Sequence, residues 1–342
     1  MPTRRALLAL LPALAAVPTA QAQAQAQSPA TLPAPVQPGA TAPAWAPTRP
    51  VRLLVGFPPG GAADLLARRL ADGLSTGLGQ PVVVENRPGA NAHLALDAVA
   101  KAVPDGHAIA LSPMGPLAVN PALMPARMPF DAGRDFTALV HVWDQPNVIV
   151  AGLDVPAAWP DFLAWLRSRP EEHYASVGPG SSQHLTGALL SRALGLRMEH
   201  VAYRGSPAAL TAIMSGEIKL YMDSLAGTIP LARAGRVRAI AVTTEGRSAA
   251  LPEVPSLAEL GLPEVTISSW QVVVGPARMP APIVARLNAE LNRVIRGPDL
   301  VAWMRDLGAE PVGGTAEAAA AMLARERDRW QRVMPTLGVT VD

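Results

Sequence analysis

Apolar residues fall into short continuous runs that alternate with four-residue periodicities, and this pattern starts near residue 51. VRLLV over 51–55 predicts a strand buried on both faces. After FPPGG, Leu66, Leu70, Leu74 and Leu78 recur every fourth residue, the apolar stripe of an amphipathic helix. Gly79-Gln80-Pro81 stops that helix, and Val82-Val83-Val84 predicts a second strand. A helix over 94–103, a stop at Pro104-Asp105-Gly106 and a strand over 108–111 make a third unit. Strands alternating with helices predict a parallel sheet with right-handed crossovers.

The same alternation returns in new residues. Strands are expected over 148–151, 174–177, 200–203, 218–222 and 237–242, with helices over 159–168, 183–194, 207–214 and 228–234. The tail over 280–334 is mainly helical, with Ile283, Leu287, Leu291 and Ile295 on one stripe and breaks at Gly297-Pro298 and Gly313-Gly314. Two α/β sheets in series follow. Whether the tail returns to the first is open at this level.

Composition narrows the function classes. With 342 residues, 49% of them hydrophobic, the chain can build the cores of two domains. The absence of cysteine excludes disulfides, thiolate catalysis and a lipidated cysteine. The net charge of +2 is misleading, because Arg4 and Arg5 account for it and no acid precedes Asp64. Without residues 1–26 the 29 basic residues become 27, against 27 acidic ones, so neither nucleic acid nor an anionic membrane is expected as a partner.

Residues 1–26 have the layout of a cleaved export signal: a charged start, an apolar stretch to Val17, and Ala-x-Ala sites at Ala20, Ala22 and Ala24. TRRALL resembles a twin-arginine signal in part, and the Sec route is the expectation. Residues 27–48, rich in Ala and Pro, are expected to be a flexible leader. No later run reaches the ~18 apolar residues of a membrane span, so an exported protein without membrane insertion is expected.

Two glycine-rich strand-to-helix turns carry the candidate chemistry. Helix starts at the carboxyl ends of parallel strands present free N–H groups to anions, and Gly60 and Gly61 let the backbone come close. The first turn, FPPGGAAD, matches neither G-x-G-x-x-G nor a P-loop, and Asp64 suits a cap in the helix's first turn. In the second, GPGSSQHL, Ser181 and Ser182 read as helix caps, as ligand donors or as a nucleophile. The G-x-S-x-G elbow is absent, and His184 lies so close in sequence that it need not face either serine. The six histidines form no metal-ligand spacing. Asp223, at the end of IKLYM, either caps the next helix or receives a ligand amine. Trp143 reads as core or as a cleft wall.

In order along the chain, RPVRLLVGFPPGGAAD, GQPVVVENRPGA, PDGHAIAL, NPAL, YASVGPGSSQHL, YRGSPAALTAIMSGEI, GRVRAIAVTT, LPEVPSLAELGLP, PAPIVARLNAELN and LGAEPVGGT resemble the substrate-binding receptors of tripartite tricarboxylate transporters, the Bug or TctC-like periplasmic proteins. The resemblance implies an α/β two-domain periplasmic binding protein of the Venus-flytrap type, with a ligand cleft between the domains. Its first domain would comprise 49–149 and 270–342, the second 150–269. It also implies a small organic acid held largely by backbone N–H groups and waters, passed to transporter subunits or a sensor protein by a monomer. Catalytic residues, cofactors and metals are not implied. An exported serine hydrolase using Ser181 or Ser182 stands as the alternative outside this class.

Carried over by position, the ligand residues are Phe57, Pro58, Gly60, Gly61, Ala62, Ala63 and Asp64 in the first loop and Gly180, Ser181, Ser182 and His184 in the second domain's loop. Ser112, Met114 and Gly115 follow the third strand, and Asp223 lies at a further strand end. Ala62 and Ala63 stand where the family usually has a hydroxyl, Asn91-Ala92-His93 where it has glycines, and Trp143-Asp144 where it has small residues. The lost hydroxyls lean toward a less polar acid, whereas Asp144 and Asp223 lean toward a ligand with an amine.

Overall fold

The computed structural model describes residues 45–339. The export signal expected over 1–26 and residues 27–44 of the leader lie outside them.

The first sheet grows from β1 (Val51–Val55), which pairs in parallel with β2 (Val82–Asn86) on one side and β3 (Ala108–Pro113) on the other. Paired on both edges and covered on both faces, β1 is apolar almost throughout, as its sequence predicts. α1 (Ala62–Leu78) and α2 (His93–Ala100) make the crossovers. Leu66, Leu70 and Leu74 of α1 are fully buried, the stripe read from the sequence. After β3 come a π-helical turn, Gly115–Val119, and the short α3 (Asn120–Leu123).

β4 (Phe136–Ala151) is far longer than the strand expected over 148–151. Its first part mixes Thr, His, Trp, Asp, Gln and Pro, so no continuous apolar run announces it. The second sheet contains β5 (Glu172–Ser176), β6 (Met198–Ala202), β7 (Leu220–Ser224) and β8 (Arg238–Val242). Between these run α4 (Trp159–Arg167), α5 (Ser182–Leu194), α6 (Ser206–Ser215) and α7 (Leu225–Arg233). The return segment is β9 (Ser268–Pro276), α8 (Ala281–Ile295), α9 (Pro298–Asp306), β10 (Glu310–Gly313) and α10 (Ala316–Leu337).

The strand order is β2-β1-β3-β9-β4-β7-β5-β6, with β8 and β10 also pairing β4. The crossover units are parallel as expected, but every pairing of β4 and β9 is antiparallel. From Phe136 to Pro146, β4 pairs with β9; from Asn147 onward it pairs with β7, and from Val148 also with β8. β4 thus changes partners between Pro146 and Asn147. β9 and β10 had no counterpart in the sequence reading, because SSWQ interrupts the apolar run and EPVG is too short to show a period.

The tail returns to the first sheet, the point the pattern left open. Leu287, Leu291 and Ile295 of α8 join the core that contains α1. Arg286 and Arg293 donate to the carbonyls of Gly77 and Gly73.

Trp143 is core, not cleft wall. It is fully buried and stacks on Trp303 of α9 at 6.0 Å and 19°, with the Arg69 guanidinium on Trp303 at 4.6 Å from the ring. The expected leader also ends sooner than residue 48: Trp45 packs edge-on to His107 at 5.8 Å, and the Thr48 N–H donates to His107 Nε2. Removing a buried indole leaves a cavity that its neighbours fill only in part. Trp143→Ala should therefore cost about 3–5 kcal/mol in urea unfolding; a loss within the noise would show that the stack carries no weight.

Candidate functional site

A cavity lies where the two sheets meet, and helix starts make most of its wall. Phe57, Pro58, Gly61, Ala62 and Ala63 come from the β1–α1 turn, and Pro113 and Gly115 from the end of β3. Val177, Ser181, Ser182 and Gln183 come from the β5–α5 turn. Gly205, Ser206 and Pro207 open α6, while Asp223 and Ser224 precede α7. Asn91 stands before α2, and Gln145, Ser269 and Gln271 rise from β4 and β9. The volume is about 50 Å³, several times the roughly 10–15 Å³ that one water needs.

Lysine and arginine do not occur in this wall. The first turns of α1, α6 and α7 receive no side-chain cap, which leaves first-turn N–H groups open to an anion, fewer in α6 because Pro207 has none. α5 is capped: Ser181 Oγ accepts the His184 N–H at 3.1 Å and donates to the Gly178 carbonyl at 2.7 Å.

Six residues expected to touch ligand stand outside the wall. Gly60 and Asp64 brace the first loop from behind. The Asp64 carboxylate accepts from the Gly60 N–H, Arg68 Nε and Asn86 Nδ2 at 2.9–3.0 Å. Burial pushes this carboxyl up, but donation from Arg68, Gly60 and Asn86 outweighs it, and the group sits below its ordinary value. Ser112 donates to its neighbour's carbonyl, and Met114 is packed in the core. Gly180 and His184 lie beneath the second loop, the Gly180 N–H donating to His184 Nδ1 at 3.0 Å.

Gly180 also explains a close contact across the cleft. Its φ of +71° is left-handed, and a Cβ there would lie 1.7 Å from Asn120 Oδ1. Gly115 faces it; a Cβ at 115 would crowd both the Gly180 carbonyl and Asn91 Nδ2. This approach lets Asn91 Nδ2 donate to the Pro179 carbonyl at 3.1 Å. Ala90, Asn91 and Ala92 have φ of 45°, 50° and 72°, a strained run for residues with a Cβ.

Asp223 does reach the wall, yet its carboxylate is fully engaged. Oδ1 accepts from Tyr221 and the Ser224 N–H, both at 2.7 Å, and Oδ2 from Ser206 and Thr228, both at 2.9 Å. Four donors use the oxygens' usual acceptor capacity. Asp223 thus ties α6 and α7 to β7, and a ligand amine would have to displace one of these donors. Asp144 lies elsewhere, accepting from Ser268 at 3.0 Å beside a separate groove.

Neither serine of the second loop is set up as a nucleophile. Ser182 Oγ is directed to Asn147 and Gln183, and the His184 ring stacks on His200 at 3.9 Å. His200 in turn meets Ser176, which is fully buried. Among the described residues there is no cluster of three or more His, Asp or Glu placed to hold a metal, and no helix is long and apolar enough to cross a membrane.

Sequence reasoning missed Gln145, Gln271, Ser206 and Ser269, and noted Asn91 only as a departure from the family's glycines. Signals existed for some of them. RGSP at the start of α6 repeats the strand–glycine–helix pattern of the two loops that were noticed. Gln145, with Asn147 two residues on, and Gln271 are buried amides within strands, the polar exceptions that carry information.

The family profile described as "Tripartite tricarboxylate transporter family receptor" matches residues 66–339. The chain belongs to that family. A protein of the tcbD-tcbE intergenic region of Pseudomonas sp. (strain P51) is 38% identical, the alignment covering 84% of this chain and 86% of that one. Protein BugT of Bordetella pertussis is 35% identical, over 88% and 94% of the two chains. Among solved structures, Rpa4515 of R. palustris with adipate superposes with a TM-score of 0.82 at 33% identity, covering 86% of this chain and 99% of the other. MatC (Rpa3494) from Rhodopseudomonas palustris with bound malate gives 0.79 at 30%, covering 84% and 99%. The α/β fold of this tripartite tricarboxylate receptor is therefore the periplasmic-binding-protein fold expected from sequence.

Three histidines give the receptor a pH signature. Burial, with the neighbouring His200 adding to it, pushes His184 down to about 3. Burial alone pushes His93 and His200 down to about 4. The unfolded chain takes up these protons near pH 6.5, while the folded one refuses them, so stability is complete above that value and falls as pH drops below it. Going from pH 7.5 to 5 should cost about 6 kcal/mol from the three together. Urea unfolding at the two pH values checks this, and the triple variant His93→Asn, His184→Asn, His200→Asn should lose most of the difference.

Proposed function

We propose that the protein is a periplasmic solute-binding receptor. It captures a small carboxylate in this cavity by closure of two lobes, 49–149 with 270–342 and 150–269, and delivers it to a tripartite tricarboxylate-type transporter. One observation carries the reading: four helix starts, those of α1, α5, α6 and α7, converge on a cavity whose wall has no cationic side chain. The free N–H groups at helix starts attract an anion without a fixed cation, which suits a ligand that must also be released. Adipate and malate in the two solved relatives support the same ligand class.

The magnitudes are adequate. A micromolar ligand needs about 8 kcal/mol, and a hydrogen bond to a charged group contributes roughly 1.5–3 kcal/mol. Three to five N–H groups on a carboxylate therefore suffice. The chemistry is reversible binding, with no bond made or broken. β4 and β9, which pass between the sheets, are the natural hinge.

Calorimetry of the mature protein against mono- and dicarboxylates and their neutral amides tests the reading. At least one acid should bind, and its amide should bind at least 100-fold more weakly. Ala62→Asp places a like charge at the α1 start, where repulsion of a few kcal/mol should cut acid affinity at least 100-fold. Equal binding of acid and amide would refute the carboxylate assignment.

A further inference from the structure

We propose that Asn91, Gln145 and Gln271 make the cleft select acids that carry a hydroxyl on the carbon chain over the unsubstituted acid of the same length. The inference rests on the carboxylate reading above and adds to it a residue-level basis for choice. All three side chains line the one cavity, and each has a buried carbonyl oxygen that no protein donor reaches. Asn91 is 8% exposed, Gln145 2% and Gln271 4%, so bulk water does not compensate for the missing donor.

The orientation of Asn91 is dictated. Its Nδ2 is spent on the Pro179 carbonyl, which fixes Oδ1 as the unmet acceptor. The chain holds this amide in place with left-handed backbone at 90–92, which Asn91 tolerates but the flanking Ala90 and Ala92 do not favour. Strain of this kind is retained where the surrounding structure needs the position.

The hydroxyls of the wall add acceptors. Ser206 directs its proton to Asp223, and Ser182 directs its own to Asn147 and Gln183. Each leaves lone pairs for a ligand. The cavity is thus two-sided in chemistry: backbone N–H groups for a carboxylate, and side-chain oxygens for a ligand donor. A site built to receive an O–H rejects the analogue without one, because its own buried polar groups then stay unpaired.

A hydroxyl fits better than an ammonium. The carboxylate of Asp223 is saturated by four donors, Asp64 stands behind the loop, and Asp144 lies outside the cavity. No carboxylate on the wall therefore has an acceptor position open to an ammonium N–H.

The test is calorimetry with two matched series: succinate, malate and aspartate, then adipate and its 2-hydroxy and 2-amino derivatives. In the series that fits the cleft, the hydroxy acid should bind at least tenfold tighter than the parent, about 1.4 kcal/mol. Asn91→Gly, which keeps the left-handed backbone accessible, should bring the ratio below threefold. Gln271→Leu, of similar volume, should lower it as well, and circular dichroism confirms that both variants are folded. Parent acids binding as tightly as hydroxy acids would overturn the inference and leave the carboxylate reading intact. Amino acids binding tightest would overturn it in favour of a cation site. Binding of neutral amides as tightly as acids would remove the carboxylate reading and the inference with it.

Discussion

The molecule depends on one strand being shared. β4 runs sixteen residues, pairing with β9 and β10 in its first part and with β7 and β8 in its last. Because its hydrogen bonds are committed on both sides, the two sheets meet along a fixed line, and every helix start that reaches the cavity is positioned relative to it. β9 runs antiparallel beside it and brings Gln271 and Ser269 to the same line as Gln145. The floor of the cavity is therefore the crossover itself.

Electrostatics follow from that geometry. A lysine on the wall would give a stronger grip but a fixed charge that must be satisfied when the site is unliganded. Helix starts provide a weaker, distributed positive end, and their N–H groups can be solvated between ligands. The acidic groups near the wall are consistent with this arrangement. Asp64 is turned onto Arg68, Asn86 and the Gly60 N–H, and Asp223 onto four neutral donors, so each carboxylate is committed to shaping its own loop.

Much of this was legible because local rules and tertiary structure agree. The α1 stripe, the buried β1 run and the glycines before α1 and α5 each follow from burial or backbone geometry at their own positions. Phe57, Gly61, Ala62, Ser181 and Ser182 were placed near the cavity for that reason. What escaped depends on distant partners. β4 is polar where it crosses between sheets, so period-2 reasoning breaks down there. Asn91 and Gly180 are separated by a long stretch of chain, and no local signal records that their loops nearly touch. Asp223, a carboxylate at a strand's end, is open between helix cap and ligand group until its donors from other elements are seen.

The departures from the pattern that the resemblance implies separate in the same way. Trp143 is taken up by the core and Asp144 by the groove behind the crossover, so neither bears on the ligand. Ala62, Ala63 and Asn91 all face the cavity. Two small apolar side chains at the α1 start leave its N–H groups unobstructed, while the amide at 91 introduces a fixed acceptor on the neighbouring loop. Polarity is thus moved around the cleft more than it is lost from it. Under the proposed reading the backbone would recognise the charge, which any carboxylate carries. Discrimination between carboxylates would then fall to the side-chain oxygens, because only they present a geometry that one acid satisfies and another leaves unmet.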